Sequence, residues 1–278
     1  MLNRGDFSSY IYIPVKTNDH VKKKSQECLD LLQKLVEKQL EISKDKEKAT
    51  NPCNNQRDEL NAEEASKHVF YQLDALNKCK KKPKEESNKK EFKNHIHITI
   101  ADPVQIKKHM ITSFVTKIRE ELETQSCFHL FFKNSVDLYR SQKHTKYFCA
   151  YSVTPDQQET HLDILLKQIE KVLKKFGLTN QYAKRICHLS LAYTDINLEP
   201  LLEESQLNVG DTCWPDIGKI VEDNNLSSSS TSESDEFCIY VNRICIRVGN
   251  TVYESRFRNV HDDLNILQSD ESEDSSTE

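Results

Sequence analysis

Two tetrapeptides have the residue types and spacing for chemistry. His97-Ile98-Thr99-Ile100 and His188-Leu189-Ser190-Leu191 share one pattern of histidine, aliphatic, hydroxyl, aliphatic. On an extended strand, side chains alternate between faces. Each tetrapeptide therefore sets an imidazole beside a hydroxyl, with two aliphatic anchors behind them. Two such units facing one another across a cleft can split a phosphodiester. A neutral imidazole takes a proton from an attacking hydroxyl, and a protonated one gives a proton to the leaving oxygen. Imidazole suits both tasks because it titrates near neutrality. The hydroxyls can donate to the non-bridging phosphate oxygens and stabilise the charge of the transition state. This scheme needs no metal and no cofactor. A single His-x-Thr or His-x-Ser arises often by chance, whereas a matched pair on predicted strands, 91 residues apart, is more specific. Most of the ten histidines stand alone in their segments. His95 shares a strand face with His97, and His-x-His can ligate a divalent metal. No second convergent ligand set is evident, so His95 is placed at the mouth of the cleft.

Several elements must position these motifs. Ser8 to Val15 alternates as a strand. Asn18 or Asp19 caps a predicted helix running to about Leu40, with Cys28, Leu29, Leu31, Leu32, Leu35 and Val36 on one side. Further strands are expected at Val69 to Leu73, His95 to Ile100, Cys127 to Lys133, Val136 to Tyr139, Tyr147 to Val153 and Cys187 to Tyr193. A helix is expected from Pro103 to about Glu123, with proline in its first turn after Asp102. Another should run from Pro155 to Phe176 and stop at Gly177. A short one fits Leu198 to Leu207. Phe237 to Val248 and Thr251 to Phe257 read as a hairpin around Gly249-Asn250. Strands interspersed with helices and hairpins make the expected class α+β.

Composition excludes several alternatives. The 278 residues, 36% hydrophobic and 30% charged, suit one large domain or two lobes. No apolar run approaches the roughly 18 residues of a membrane span. No charged-then-apolar leader opens the sequence, so a secretory signal is not expected. The nine cysteines contain no Cys-x-x-Cys pair and read as reduced thiols of a nuclear or cytosolic protein. None of the five glycines sits in a P-loop or dinucleotide fingerprint. The net charge of −5 hides a division. Asp262 to Glu278 holds seven acidic residues and Glu222 to Glu236 holds five, neither with Lys or Arg. Elsewhere, 39 basic residues face 32 acidic ones, a balance of +7. A basic body is compatible with a polyanionic substrate, and equally with ordinary solvated charge. The Lys-rich stretch from Ile42 to Lys93 and the segment near 222–236 read as two insertions within one domain of residues 4–260, and 261–278 reads as a disordered acidic tail after it. The run Lys78 to Lys84 could touch RNA backbone, serve nuclear import, or be a solvated loop.

The paired motifs resemble the 2H phosphoesterase superfamily. Within it, more context is similar to the U6 snRNA phosphodiesterase family. The matching stretches are Arg4-Gly5-Asp6-Phe7 with Ser8 to Pro14, Cys127 to Phe132 with Val136 to Tyr139, Phe176 to Tyr182 with His188 to Tyr193, and Val241 to Ile246 with Gly249-Asn250 and Tyr253. Thr99 stands where that family usually shows serine, and it keeps the hydroxyl. The resemblance implies a bilobal fold, two antiparallel sheets forming a V-shaped groove with one motif from each lobe. It implies a metal-independent 3′-to-5′ RNA exonuclease that trims the oligo(U) end of U6 snRNA and leaves a 2′,3′-cyclic phosphate or a 3′ phosphate. Carried onto this sequence, His97 and His188 are the acid–base pair, and Thr99 and Ser190 hold the phosphate. Tyr182 matches a position that stacks the leaving base, and Tyr253 and Tyr12 are further candidates for the cleft wall. RNA is the implied partner, the nucleus the implied location, and a monomer without membrane attachment the default. The alternatives are another 2H enzyme, acting on cyclic nucleotides or 2′,5′-linked RNA, and a non-catalytic RNA-binding protein of the same fold.

Overall fold

A computed structural model describes residues 6–50, 67–71, 96–141, 145–178, 186–204, 213–215, 217–218 and 236–259. Its strands are β1 (Asp6–Pro14), β2 (Val69–Tyr71), β3 (His97–Lys107), β4 (Phe128–Arg140), β5 (Tyr147–Val153), β6 (His188–Thr194), β7 (Cys213–Trp214), β8 (Cys238–Val241), β9 (Arg243–Val248) and β10 (Thr251–Arg256). The helices are α1 (Asp19–Thr50), α2 (Ile111–Glu121), α3 (Asp163–Lys175) and α4 (Glu199–Glu204). The strands build a large antiparallel sheet in the order β10-β9-β1-β3-β6-β5-β4-β7, with β2 on β6 and β8 on β4. The class is mixed α and β, with segregated helices and an antiparallel sheet.

The sheet has two halves. In the first, β10, β9, β1 and β3 pair along most of their lengths. In the second, β6, β5 and β4 do the same. Between the halves, β3 and β6 share one pairing, Ile98 opposite Leu189. Beyond it, β6 gives its final residues to β2, where Phe70 faces Tyr193.

Helices cover the apolar side. The Asn18 side chain accepts the Val21 N–H at 2.8 Å and caps α1. Cys28, Leu32, Leu35 and Val36 then recur at helical spacing and are fully buried against β6 and β5. α2 and α3 pack on each other and reach β10 and β3 respectively. Gly177 ends α3 at φ 67°, its N–H donating to the Lys174 carbonyl while Leu178 donates to Leu173, the paired bonds of a Schellman stop.

Four expectations are corrected. α1 continues past Leu40 to Thr50, into the stretch read as an insertion. Asp102-Pro103 does not open a helix. β3 runs on through it to Lys107, with exposed Pro103 where the pairing with β1 slips between Ala101 and Val104. A bulge tolerates a residue without an N–H, so the same dipeptide serves there as well as at a helix start. The strands expected at Cys127 to Lys133 and Val136 to Tyr139 are one strand, β4, irregular between Phe132 and Val136. Phe237 to Val248 is two strands, because at Asn242 the chain changes partner from β4 to β1. The hairpin at Gly249-Asn250 stands as expected, with Gly249 at φ 56°.

Candidate active site

Burial alternates along both motif strands. Ile96, Ile98 and Ile100 are buried while His97 and Thr99 are half-exposed. Leu189 and Leu191 are buried while His188 and Ser190 are half-exposed. Residues opposed across antiparallel strands point to the same side. Since Ile98 opposes Leu189, both point into the core, and His97, Thr99, His188 and Ser190 all share the other face. Continuing that register sets His97 across from Ser190 and Thr99 across from His188. The quartet thus converges where β3 of one half pairs with β6 of the other, at Ile98 and Leu189. A second tie crosses the same seam, where the buried Cys187 thiol donates to the Thr99 carbonyl at 3.9 Å.

His97 lies among aromatic rings. Tyr12, opposite Thr99 on β1, meets the imidazole edge-on at 5.1 Å between centroids, and Tyr10 lies at 5.9 Å. Burial, with Cys245 close by, pushes the Tyr12 hydroxyl well above the ordinary phenol range. It stays protonated and neutral. The Arg247 guanidinium donates to the Tyr10 hydroxyl at 3.2 Å and to the Gly249 carbonyl at 3.1 Å. A cation is therefore held on the same face, beyond the two tyrosines.

His188 is held differently. Its Nδ1 lies 3.2 Å from the Ile186 carbonyl. A carbonyl only accepts, so this contact calls for a proton on Nδ1. The Tyr139 ring stacks on the imidazole at 3.8 Å, with 15° between planes. The Tyr139 hydroxyl lies 2.7 Å from Ser152 Oγ, which donates to the Asp137 carboxylate. Asp137 and Ser152 are buried. Burial, and then Cys213, push the Tyr139 hydroxyl above its ordinary range, so it too stays protonated. The entry to β6 is pinned as well. The Cys187 N–H donates to the Gln158 side chain at 2.9 Å, and the Cys187 carbonyl accepts from Val153 at 2.9 Å. Gln158 reaches it because Gln158–Leu162 forms one wide π-helical turn between Pro155–Gln157 and α3.

Of the other expected site residues, Tyr12 is at the quartet. Tyr253 is not. It pairs with Ile246, which pairs with Ile11, so all three lie on the opposite, core-facing side of the sheet. Its place in the expected cleft wall is corrected accordingly. Tyr182 and His95 lie outside the described residues, as do the Lys-rich run, the Ser-rich linker and the acidic tail. The sequence reading missed Tyr139, Asp137, Ser152 and Gln158 as neighbours of the site. For the first three the available signal was parity: Asp137 and Tyr139 are two apart on one strand, and Ser152 is a buried hydroxyl in an otherwise apolar one. Among the described residues, no three His, Cys, Asp or Glu side chains converge as a metal site, and no helix is long and apolar enough to cross a membrane.

An antiparallel sheet here carries two His-x-hydroxyl strands edge to edge, with two imidazoles and two hydroxyls on one face. Known proteins place the chain further. Residues 2–256 match the HVSL family, described as an uncharacterised conserved protein, and the chain belongs to that family. It is 27% identical over 128 residues to human U6 snRNA phosphodiesterase 1, which covers 45% of this chain and 44% of the human protein. It is 24% identical over 127 residues to the rat protein of the same name, covering 46% and 44%. The chain thus spans less than half the length of the curated relatives it matches. The resemblance read from the motifs is the one these relatives return. A solved structure of Usb1 from Kluyveromyces marxianus with uridine monophosphate overlays with a TM-score of 0.46 at 10% identity, covering 92% of this chain and 100% of that one.

Proposed function

We propose that the chain is a 3′-to-5′ RNA exonuclease of the U6 snRNA phosphodiesterase type, trimming the 3′ oligo(U) end of U6 snRNA. The observation that carries this reading is the convergence of His97, Thr99, His188 and Ser190 on one sheet face at the Ile98–Leu189 pairing. The 2′-hydroxyl of the penultimate nucleotide loses its proton to one imidazole and attacks the adjacent 3′ phosphorus. The bond to the terminal 5′ oxygen breaks, and the other imidazole protonates that oxygen. Thr99 and Ser190 donate to the non-bridging oxygens, where charge develops. The product end is a 2′,3′-cyclic phosphate, or a phosphate after ring opening. Tyr182 is assigned to stacking of the leaving base, which tolerates any base because each has a π-face. The curated relatives' names support the substrate. In this reading residues 4–260 form one bilobal domain whose two halves wall a V-shaped groove. The stretches near 42–93 and 222–236 are insertions, 261–278 is an acidic tail, and the protein acts as a nuclear monomer.

One assay tests the reading. The protein is incubated in excess EDTA with a short RNA ending in several uridines and a free 2′,3′-diol, and the ends are read by mass spectrometry. A ladder shortened from the 3′ end, bearing cyclic phosphate or phosphate and absent with His97→Ala and with His188→Ala, is expected. An intact RNA, or a ladder that survives either substitution, overturns it.

A further inference from the structure

We propose that Tyr139 is a positioning residue for His188, its ring holding the imidazole flat while its hydroxyl anchors that ring through Ser152 to the buried Asp137 carboxylate. The inference rests on the reading of His188 as one of the two proton-carrying imidazoles.

The register brings these groups together. On β4 and β5, Asp137 opposes Ala150, and on β5 and β6, Ala150 opposes Ser190 while Ser152 opposes His188. All of these side chains therefore share the quartet's face. Ala150 carries only a methyl group, so the Tyr139 ring can lie along the strands over it and reach both Ser152 and His188.

The protons in the chain have one consistent direction. Ser152 has a single hydroxyl proton and gives it to Asp137. Its oxygen can then only accept, so in the 2.7 Å contact Tyr139 is the donor. A phenol donating toward a carboxylate-bound hydroxyl gains electron density, because hydrogen bonds in a chain polarise one another. Its face is then a better partner for an imidazolium lying 3.8 Å away. The same stack blocks rotation of the ring, and the Ile186 carbonyl holds Nδ1. Together the two contacts fix the plane of the ring and its turn within that plane.

A buried carboxylate is costly unless it is hydrogen-bonded. Asp137, 2% exposed on a strand behind the site, is met by Ser152 there. Other titratable groups on this side are few among the described residues. β4 offers Asp137, Tyr139 and Lys133, β7 offers Cys213 opposite Tyr139, and β3 offers His97 across the seam, while β5 faces them with the uncharged Ser152 and Ala150.

The test uses the full chain with isotope-labelled histidine. The His188 ring signal, assigned with His188→Gln, is followed by NMR from pH 4 to 9, as the method's range, in Tyr139→Leu, Tyr139→Phe and Asp137→Asn proteins. Tyr139→Leu should lower the His188 midpoint by about half a pH unit, roughly threefold in the proton equilibrium. Tyr139→Phe and Asp137→Asn should shift it the same way by less, with the His97 signal unmoved. On a uridine-ended RNA, kcat should fall about tenfold in Tyr139→Leu, with KM within about twofold. A folded Tyr139→Leu protein with an unchanged His188 midpoint overturns the proposal. Should that variant fail to fold, unchanged midpoints in both Tyr139→Phe and Asp137→Asn overturn it instead. If the wild-type protein cleaves no RNA while the midpoints move as expected, the proposed reaction fails and the positioning stands.

Discussion

His97 and His188 sit at matching positions of matching tetrapeptides, yet their neighbourhoods differ in kind. His97 touches tyrosine rings at 5.1 and 5.9 Å, with an arginine anchored beyond them. His188 lies flat on one tyrosine at 3.8 Å, backed by a hydroxyl and a buried carboxylate. The motif decides only which way the imidazole faces, because the period of a strand is two. What the imidazole leans on comes from the next strands over. One half of the sheet supplies tyrosine rings and an arginine, the other a hydrogen-bonded chain ending in a buried aspartate. In the proposed reaction, two histidines so placed would take unequal shares of the proton transfers.

The widest test of that contrast is removal of each imidazole. His97→Ala and His188→Ala should each slow 3′-end cleavage by about 10² to 10⁴-fold, read as single-turnover rates on a uridine-ended RNA. A large loss at one position alone would mean that the other half only binds. Next come the hydroxyls. Thr99→Ala and Ser190→Ala should each cost about 10²-fold in kcat, whereas Thr99→Ser, which keeps the donor, should stay within about threefold. Stability should then separate the halves. Asp137→Ala takes the carboxylate acceptor from the Ser152 hydroxyl in a buried site and should destabilise by about 1–3 kcal/mol in urea melts. Arg247→Ala, which removes half-exposed contacts in the other half, should cost under about 1 kcal/mol. Smallest is a contrast of two glycines with positive φ. Gly177→Ala meets open space and should cost about 1 kcal/mol from backbone conformation alone. Gly249→Ala should cost more, because its Cβ would stand 3.0 Å from the Phe7 ring.

Much of the site was legible because alternation is local. Four residues of sequence suffice to place His97 with Thr99 and His188 with Ser190, and the burial along β3 and β6 follows that pattern. Cap chemistry was equally local at Asn18 and at Gly177. Asp102-Pro103 misled because the same two residues suit a helix start and a bulge, and only the β1 partner distinguishes them. Tyr253 misled because its face is set by pairing with Ile246 and, through it, Ile11. No pattern within one strand reports a partner's register. The Asp137–Ser152–Tyr139 chain and the bond from Cys187 to Gln158 join residues on separate elements, and they become visible only once those elements are side by side.

The route of the chain through its two halves bears on how the protein is made. β4, β5 and β6 follow one another from Phe128 to Thr194, so the His188 half can assemble from neighbours as synthesis proceeds. The His97 half cannot, since β1 near the start pairs with β9, which begins at Arg243. Its loop must close over most of the chain, a slow step that waits for the C-terminal hairpin. The sheet that carries the two imidazoles is thus completed at its β9–β10 edge only once the C-terminal hairpin is made. A chain cut short of Arg243 would carry both histidines on a sheet that lacks its last two strands.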